Sequence, residues 1–298
     1  MGAGTTISWC QHTFNPVWGC VKVDRGCAHC YAETRAKRWK FDVWGPRTGY
    51  REFGATHWAE PLAWNRDAAK TRTRPRVFPS MCDPFDLDWP KQLRARFWDL
   101  IRATPRLDWL LLTKRPENLR ALLPADWAWG YSNVWLLASA HDQASLMKRT
   151  LELARIPALV RGMSLEPLVG DDVNLDFLNV LPSLDADPLL QWLIIGGESG
   201  GGAAPLPLSA ATTVLNQALR LEIPVFFKQF GVVLAREYGW KNAKGEDPAE
   251  WPETYRVRQF PLEGVRRCDG CGCTDVHGCR EGCFWVDDHL CSRCGGVA

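Results

Sequence analysis

Short apolar runs alternate with amphipathic segments through the middle of this chain, and that alternation limits its fold more than any other feature. The runs are RVFPSM (76–81), DWLLLT (108–113), NVWLLAS (133–139), ALVRGMS (158–164), QWLIIGG (191–197) and PVFFKQ (224–229). Each is rich in branched and aromatic residues and is bounded by polar or turn residues, as strands buried on both faces are. Between them, PKQLRARFWDLIRA (90–103), QASLMKRTLELARI (143–156) and LSAATTVLNQALRLE (208–222) carry apolar residues at three- and four-residue spacing. That is the period of a helix with one buried stripe. Strands and helices in alternation make βα units on a parallel sheet. With a first strand near residues 5–10, seven strands are predicted. The expected architecture is α/β, a TIM-like βα barrel, full or partial; an open doubly wound sheet is the alternative.

In a βα barrel the residues that follow each strand gather at one mouth, where sites are built. Here they are Asp83; Thr113, Lys114 and Arg115; Ser139, His141 and Asp142; Glu166; Glu198; then Lys228 and Gln229. About half are expected to be helix caps or ion-pair partners. Glu166 precedes Pro167, which favours an extended approach, and its carboxylate suits ribose hydroxyls or an amino group. Lys114, Arg115 and Lys228 suit a phosphate or carboxylate of a substrate; surface ion pairs are the plainer reading. GGESGGG (196–202) has five glycines in seven residues. It permits close backbone approach to a ligand, or serves as a turn, and it lacks the spacing of a dinucleotide fingerprint.

The chain has 298 residues, enough for one large core and an appendage. The predicted units are a barrel over 1–235, an irregular extension over 236–266 and a cysteine-rich tail over 267–298. Sixteen tryptophans are unusual; most are expected in the core, though indoles also stack on bases and sugars. A net charge of +2 gives no global field for nucleic acid. Two local basic runs, RAKRWK (35–40) and RDAAKTRTRPR (66–76), are either solvated faces or phosphate-contacting rims. MGAGTTISWCQ lacks the charge-then-apolar order of a secretory signal, and no 18-residue apolar stretch follows, so a cytoplasmic protein without membrane contact is expected. In a reducing compartment, twelve cysteines point to metal or redox chemistry rather than disulfides.

Cys20, Cys27 and Cys30 fall in the spacing C-x6-C-x2-C, after the first predicted strand and so at the mouth. A helix starting near Cys30 would aim backbone N–H groups at the site and favour thiolate. Zinc fits, with Cys10, His12 or His29 as a fourth ligand. So does an iron–sulfur cluster with one open iron.

The ordered segments FNPVWGCVKVDRGCAHCYAETRAKRW, VFPSMCDPFD, LLLTKRPENL, SLEPLVG, WLIIGGESGGGAAPL and IPVFFKQFG resemble a phage- and mobile-element-associated three-cysteine-motif family, a domain of unknown function, over roughly residues 5–231. That family is similar to radical S-adenosylmethionine enzymes, and CAHCYA resembles the cysteine loop of spore-photoproduct-lyase-like members, which act on DNA. The resemblance implies a [4Fe–4S] cluster on Cys20, Cys27 and Cys30 whose open iron chelates S-adenosylmethionine. It implies reductive release of a 5′-deoxyadenosyl radical, an electron donor as partner, and a nucleobase, nucleotide or DNA as substrate. For a phage-encoded chain the compartment is the host cytoplasm. Glu166, Gly196, Gly197 and Glu198 are the implied cofactor-binding positions. Two departures stand out: the usual first gap is three residues rather than six, and the usual Gly-Gly-Glu follows the second strand, whereas here it follows the sixth.

The tail holds Cys268, Cys271, Cys273, Cys279, Cys283, Cys291 and Cys294. Its terminal C-x2-C pairs, Cys268/Cys271 and Cys291/Cys294, have zinc-ribbon separation and form the expected four-thiolate site. Cys273, Cys279 and Cys283 then remain, with His277 or His289 to complete a second. So short and polar a segment needs metal to fold; zinc is favoured over a second iron–sulfur cluster. Four arginines against five acids over 266–298 do not make a DNA grip. A different class of reading is a non-catalytic, zinc-stabilised nucleic-acid- or partner-binding phage protein. A zinc-dependent barrel hydrolase finds little support in six scattered histidines.

Overall fold

The computed structural model describes residues 4–46, 48–180, 188–279 and 281–297. Its strands are β1 (His12–Thr13), β2 (Val17–Trp18), β3 (Arg51–Glu52), β4 (Arg76–Phe78), β5 (Asp108–Thr113), β6 (Val134–Ala140), β7 (Val160–Leu165), β8 (Trp192–Gly196) and β9 (Val225–Gln229). Its α-helices are α1 (Tyr31–Arg38), α2 (Ala55–Thr71), α3 (Lys91–Ala103), α4 (Leu119–Leu122), α5 (Gln143–Ala154), α6 (Leu208–Arg220), α7 (Val232–Glu237) and α8 (Ser292–Gly295).

Seven strands form one parallel sheet in the order β1-β4-β5-β6-β7-β8-β9. The order never reverses, so there is no switch point and the doubly wound alternative does not hold. The sheet curls into a half-barrel with β1 and β9 as its edges; of the two forms expected, it is the partial barrel. Alternate residues sort to its two faces. Trp109 and Leu111 of β5, Leu136 of β6 and Leu193 and Ile195 of β8 meet α3, α5 and α6 in one core. Leu110, Trp135, Leu137, Trp192, Ile194 and Phe226 fill the concave side.

The first strand is not at 5–10 but at His12–Thr13, paired with Val77 and Phe78. The segment before it turns, and Trp9 drops into the concave side against Phe78 (4.4 Å between ring centroids) and Trp192 (6.2 Å). Helix α2 was not anticipated, because its apolar residues keep no clean stripe and Pro61 lies inside it.

The stretch read as an irregular extension is irregular but is built into the body. Phe227 N–H donates to Val257 O and Gln259 N–H to Val225 O, both at 2.8 Å, so the chain covers the open edge of β9. Trp251 is 1% exposed, packs on Phe227 and Phe230, and donates its indole N–H to Gly245 O at 3.0 Å.

The tail docks at the N-terminal end of the sheet. Arg267 makes two bonds to the Asp108 carboxylate, at 2.7 and 2.9 Å, and Arg74 Nε adds a third at 3.3 Å. His277 Nε2 lies 3.1 Å from Gly130 O. Asp108 opens β5, so the tail sits at the end opposite the strand C-termini. Two arginines of the 66–76 run are drawn to this end. Arg74 binds Asp108, and Arg76 lies 3.7 Å over the Phe260 ring with its Nε on Trp9 O, so neither belongs to a rim at the mouth.

Candidate functional site

The period of two along each strand that buries the concave face also builds a site on it. Leu110 and Leu112 lead up β5 to Lys114; Trp135 and Leu137 lead up β6 to Ser139. Gly162 and Ser164 lead up β7 to Glu166, and Phe226 leads to Lys228 on β9. The lower layer is aromatic and aliphatic. The upper layer is polar and lines a cavity of about 480 Å³, with Leu112, Lys114, Ser139, Ser164, Glu166, Lys228 and Gln229 in its wall. Lys228 Nζ is ion-paired with Glu166 Oε1, and both side chains are largely buried.

Glu198 reaches the same cavity from the turn after β8. Its Oε1 is 3.0 Å from His29 Nδ1 and its Oε2 accepts from Ala204 N–H at 2.8 Å. The glycines here have a steric reason. A Cβ on Gly197 would lie 2.2 Å from the Phe230 carbonyl oxygen, and one on Gly200 would lie 3.0 Å from His29 O. The turn therefore closes directly onto the cysteine loop across the mouth. Gly196 tolerates more: a Cβ there would meet Glu166 Cγ at 3.4 Å.

Beside the large cavity lies a smaller one of about 120 Å³, bordered by Cys20, Cys27 and Cys30. The two share Cys30, Tyr31, Phe78, Ser80, Leu112, Lys114 and Ser139 as walls. Cys30 occupies the N-cap position of α1, as expected for a helix start at the site. The six residues between Cys20 and Cys27 act as anchors. Arg115 donates to Val21 O, Lys114 Nζ to Gly26 O at 3.2 Å, and Arg149 to the Asp24 carboxylate. His141 Nδ1 stands 3.8 Å from the same carboxylate. The long gap thus ties the loop to the ends of β5 and β6 and to α5. Burial alone would raise the Asp24 carboxyl, but Arg149 and His141 outweigh it and hold it below the usual range.

Arg115 does not line the large cavity. It is buried, bonded to Asp83 at 2.8 Å, 3.5 Å from Asp86, and its Nη1 is 3.8 Å from Cys20 Sγ. It stands behind the cysteine loop and borders the small cavity. Burial pushes the Cys20 thiol up to about 12, with Asp83 adding to the effect and Arg115 opposing it. Asp142 caps α5, accepting from Ser145 N–H at 2.8 Å, as expected for part of the post-strand set.

Of the three possible fourth ligands, Cys10 and His12 do not border the small cavity. Cys10 packs with Trp9 on the concave side, and His12 stacks on Trp64 at 4.3 Å. His29 faces the large cavity and is engaged with Glu198. Cys82, which sequence reasoning did not weigh as a ligand, does border the small cavity. Its signal was only the order MCD directly after β4. Tyr31 and Arg35 were also missed. They line the large cavity from successive turns of α1, and Tyr31 Oη donates to Ser80 O at 2.7 Å; their i, i+4 spacing after Cys30 was the available clue.

The described thiols of the tail converge more tightly. Cys268, Cys271, Cys273 and Cys291 form one group and Cys273, Cys279, Cys283 and Cys291 another, with all ligand atoms in each within 4.8 Å of one another. Cys273 joins Cys268, Cys271 and Cys291, because the chain reverses at Gly272 (φ +81°) and brings it back over Cys268, while Cys294 interacts with Cys268 and Cys271 from outside the group. Neither His277 nor His289 joins. These residues can hold a metal ion. Among the described residues the mouth cysteines form no group of that tightness.

No helix among the described residues is long and apolar enough to cross a membrane. Comparison with curated proteins and with solved structures finds no match. Residues 4–260, which span the half-barrel, both cavities and most of the extension but not the tail, match the model of a family described as "Protein of unknown function (DUF5131)", and the chain belongs to that family.

Proposed function

We propose that the protein is a radical S-adenosylmethionine-type iron–sulfur enzyme acting on a nucleobase, a nucleotide or DNA. One observation carries the reading: three thiols of a single loop border a small cavity that shares its wall with a ligand-sized one. Their wider spacing compared with the tail thiols suits sulfurs that each hold a separate iron rather than one ion between them. Cys20, Cys27 and Cys30 would hold the cluster, which when bound would supply the one electron, drawn from a low-potential donor, for reductive cleavage of S-adenosylmethionine to methionine and a 5′-deoxyadenosyl radical.

The chain's own residues bind and orient. The large cavity, about 480 Å³, is of the size that encloses small-molecule ligands, roughly 300–1,000 Å³. Glu166 offers a carboxylate to ribose hydroxyls or an amino group, and its partner Lys228 offers an ammonium to a carboxylate or phosphate. Glu198, held by His29 and Ala204, offers a second carboxylate. Gly197 lines the cavity beside it, and Lys114 stands at the junction of the two cavities. The substrate class rests on α1 and the residues just after it: Arg35 lines the cavity, and Trp39, 62% exposed, stands between Arg38 and Lys40. An aromatic face among cations suits a base and its phosphate.

Cys82 favours the second reading, a closed four-thiolate zinc site in a non-catalytic binding protein, and so decides the test. Protein purified anaerobically and reconstituted with iron and sulfide is expected to give an iron–sulfur EPR signal that S-adenosylmethionine alters, and to release 5′-deoxyadenosine on reduction. Cys20→Ala, Cys27→Ala and Cys30→Ala each abolish the signal, whereas Cys82→Ala keeps both the signal and its change. A zinc-only protein, or loss of the metal in Cys82→Ala, would defeat the open-site reading.

A further inference from the structure

The tail carries seven thiols, too many for one tetrahedral ion and too few for two separate four-thiolate sites. We infer that it holds a dinuclear zinc centre in which Cys273 and Cys291 bridge the two ions. Cys268 and Cys271 complete one coordination shell, and Cys279 and Cys283 complete the other.

The ligand arithmetic follows from the two groups. Each has four thiols, and they share Cys273 and Cys291, so six sulfurs fill eight coordination positions. No histidine or carboxylate among the described residues enters either group to supply an unshared ligand. The distances agree with ions of this kind. Zn–S bonds of about 2.3 Å at the tetrahedral angle place neighbouring sulfurs about 3.8 Å apart. The separations within one shell, Cys271–Cys291, Cys273–Cys283 and Cys279–Cys291, are 3.7, 3.8 and 3.9 Å, while Cys271 and Cys279, one from each shell, also lie 3.7 Å apart. Thiolates of an iron–sulfur cube each bind their own iron and stand farther apart than ligands of one ion.

Burial and hydrogen bonding point the same way. The two shared cysteines are each 1% exposed, and Cys294, whose thiol interacts with Cys268 and Cys271, joins neither group and is exposed. Backbone N–H groups reach the sulfurs: Cys291 N–H points to Cys268 Sγ at 3.4 Å and Cys279 N–H to Cys283 Sγ at 3.3 Å. Such donors stabilise thiolate over thiol. All positions are filled by protein, so the centre is a staple and not a reaction site. It holds a segment with little core of its own against Asp108, at the end of the sheet away from the cavity. This inference does not depend on the proposed function.

The test counts metal in the full chain. A Cys20→Ala background keeps metal at the mouth out of the sum. Native mass spectrometry of that variant, expressed with zinc, is expected to give two zinc ions per chain. Adding Cys273→Ser or Cys291→Ser lowers the count to one or none; adding Cys294→Ser leaves it at two. In case the bridge variants fold poorly, the unaltered tail is loaded with cadmium-113. Two resonances split by mutual coupling through shared sulfurs are expected. One ion per chain, iron in place of zinc, a loss of one ion with Cys294→Ser, or two uncoupled resonances overturns the inference.

Discussion

Replacing Asp108 with asparagine tests how the tail is fixed to the body. The carboxylate is 3% exposed and accepts from two guanidiniums, Arg267 and Arg74, whose side chains are 11% and 14% exposed. Removing one partner of a buried ion pair costs about 3–5 kcal/mol, because the remaining charge stays desolvated. The amide oxygen keeps one hydrogen bond, worth about 1 kcal/mol, which leaves a net loss of about 2–4 kcal/mol. At about 2.1 cal/mol/K per residue, 298 residues unfold with an entropy of about 0.6 kcal/mol/K. Calorimetry should therefore record a fall in Tm of about 3–6 °C near pH 7. The pH dependence gives a sharper check. Burial alone would raise the Asp108 carboxyl, but Arg267 and Arg74 outweigh it and hold the group below its ordinary value. A depressed carboxyl contributes stability that is fully present above the unfolded pKa, about 3.9, and is lost as pH falls through the folded pKa. The gap between native and Asp108→Asn protein should be constant from pH 6 to 8 and narrow below about pH 4. A Tm change under about 1 °C at pH 7, or a gap that persists undiminished into strong acid, would refute the ion-pair argument.

Three further expectations follow from the mouth and the concave face. Gly197→Ala sets a Cβ 2.2 Å from a backbone oxygen that cannot step aside; a loss of about 1–3 kcal/mol is expected in urea unfolding, and an unchanged midpoint would contradict the packing described. Asp24→Asn weakens the anchor to Arg149 and should cut iron retention of the reconstituted protein by about 10–100-fold, the usual weight of residues that orient metal ligands; equal retention would show that the long gap is not an anchor. Burial pushes the Cys10 thiol up to about 12, with Arg76 and Lys228 opposing, so iodoacetamide at pH 8 should leave Cys10 unlabelled in the native protein and label it in denaturant, as peptide mapping would show.

Much of the fold was legible because each element obeys its own period. The runs at 108–113, 133–139, 158–164, 191–197 and 224–229 are strands to within a residue or two, and the segments at 90–103, 143–156 and 208–222 are helices. Glu166, Glu198 and Lys228 come to one cavity because a parallel strand fixes where its C-terminal end points. Arg115 parts from Lys114 for a related reason: adjacent residues at a strand end face opposite ways, so Lys114 reaches the large cavity while Arg115 turns to Asp83 and the cysteine loop.

What the sequence by itself determined was therefore local and periodic: βα units, a mouth at the strand ends, a thiol-rich loop and a thiol-rich tail. Tertiary structure decided which distant groups meet. Cys82 borders the cavity of Cys20, Cys27 and Cys30 because β4 runs beside β1. Cys273 joins Cys268, Cys271 and Cys291 because Gly272, with φ +81°, reverses the chain. The tail lies far from the mouth because a buried carboxylate at the start of β5 draws Arg267 to the other end of the sheet. Spacing along a chain limits which thiols are able to share an ion; only the path of the backbone between them selects which ones do.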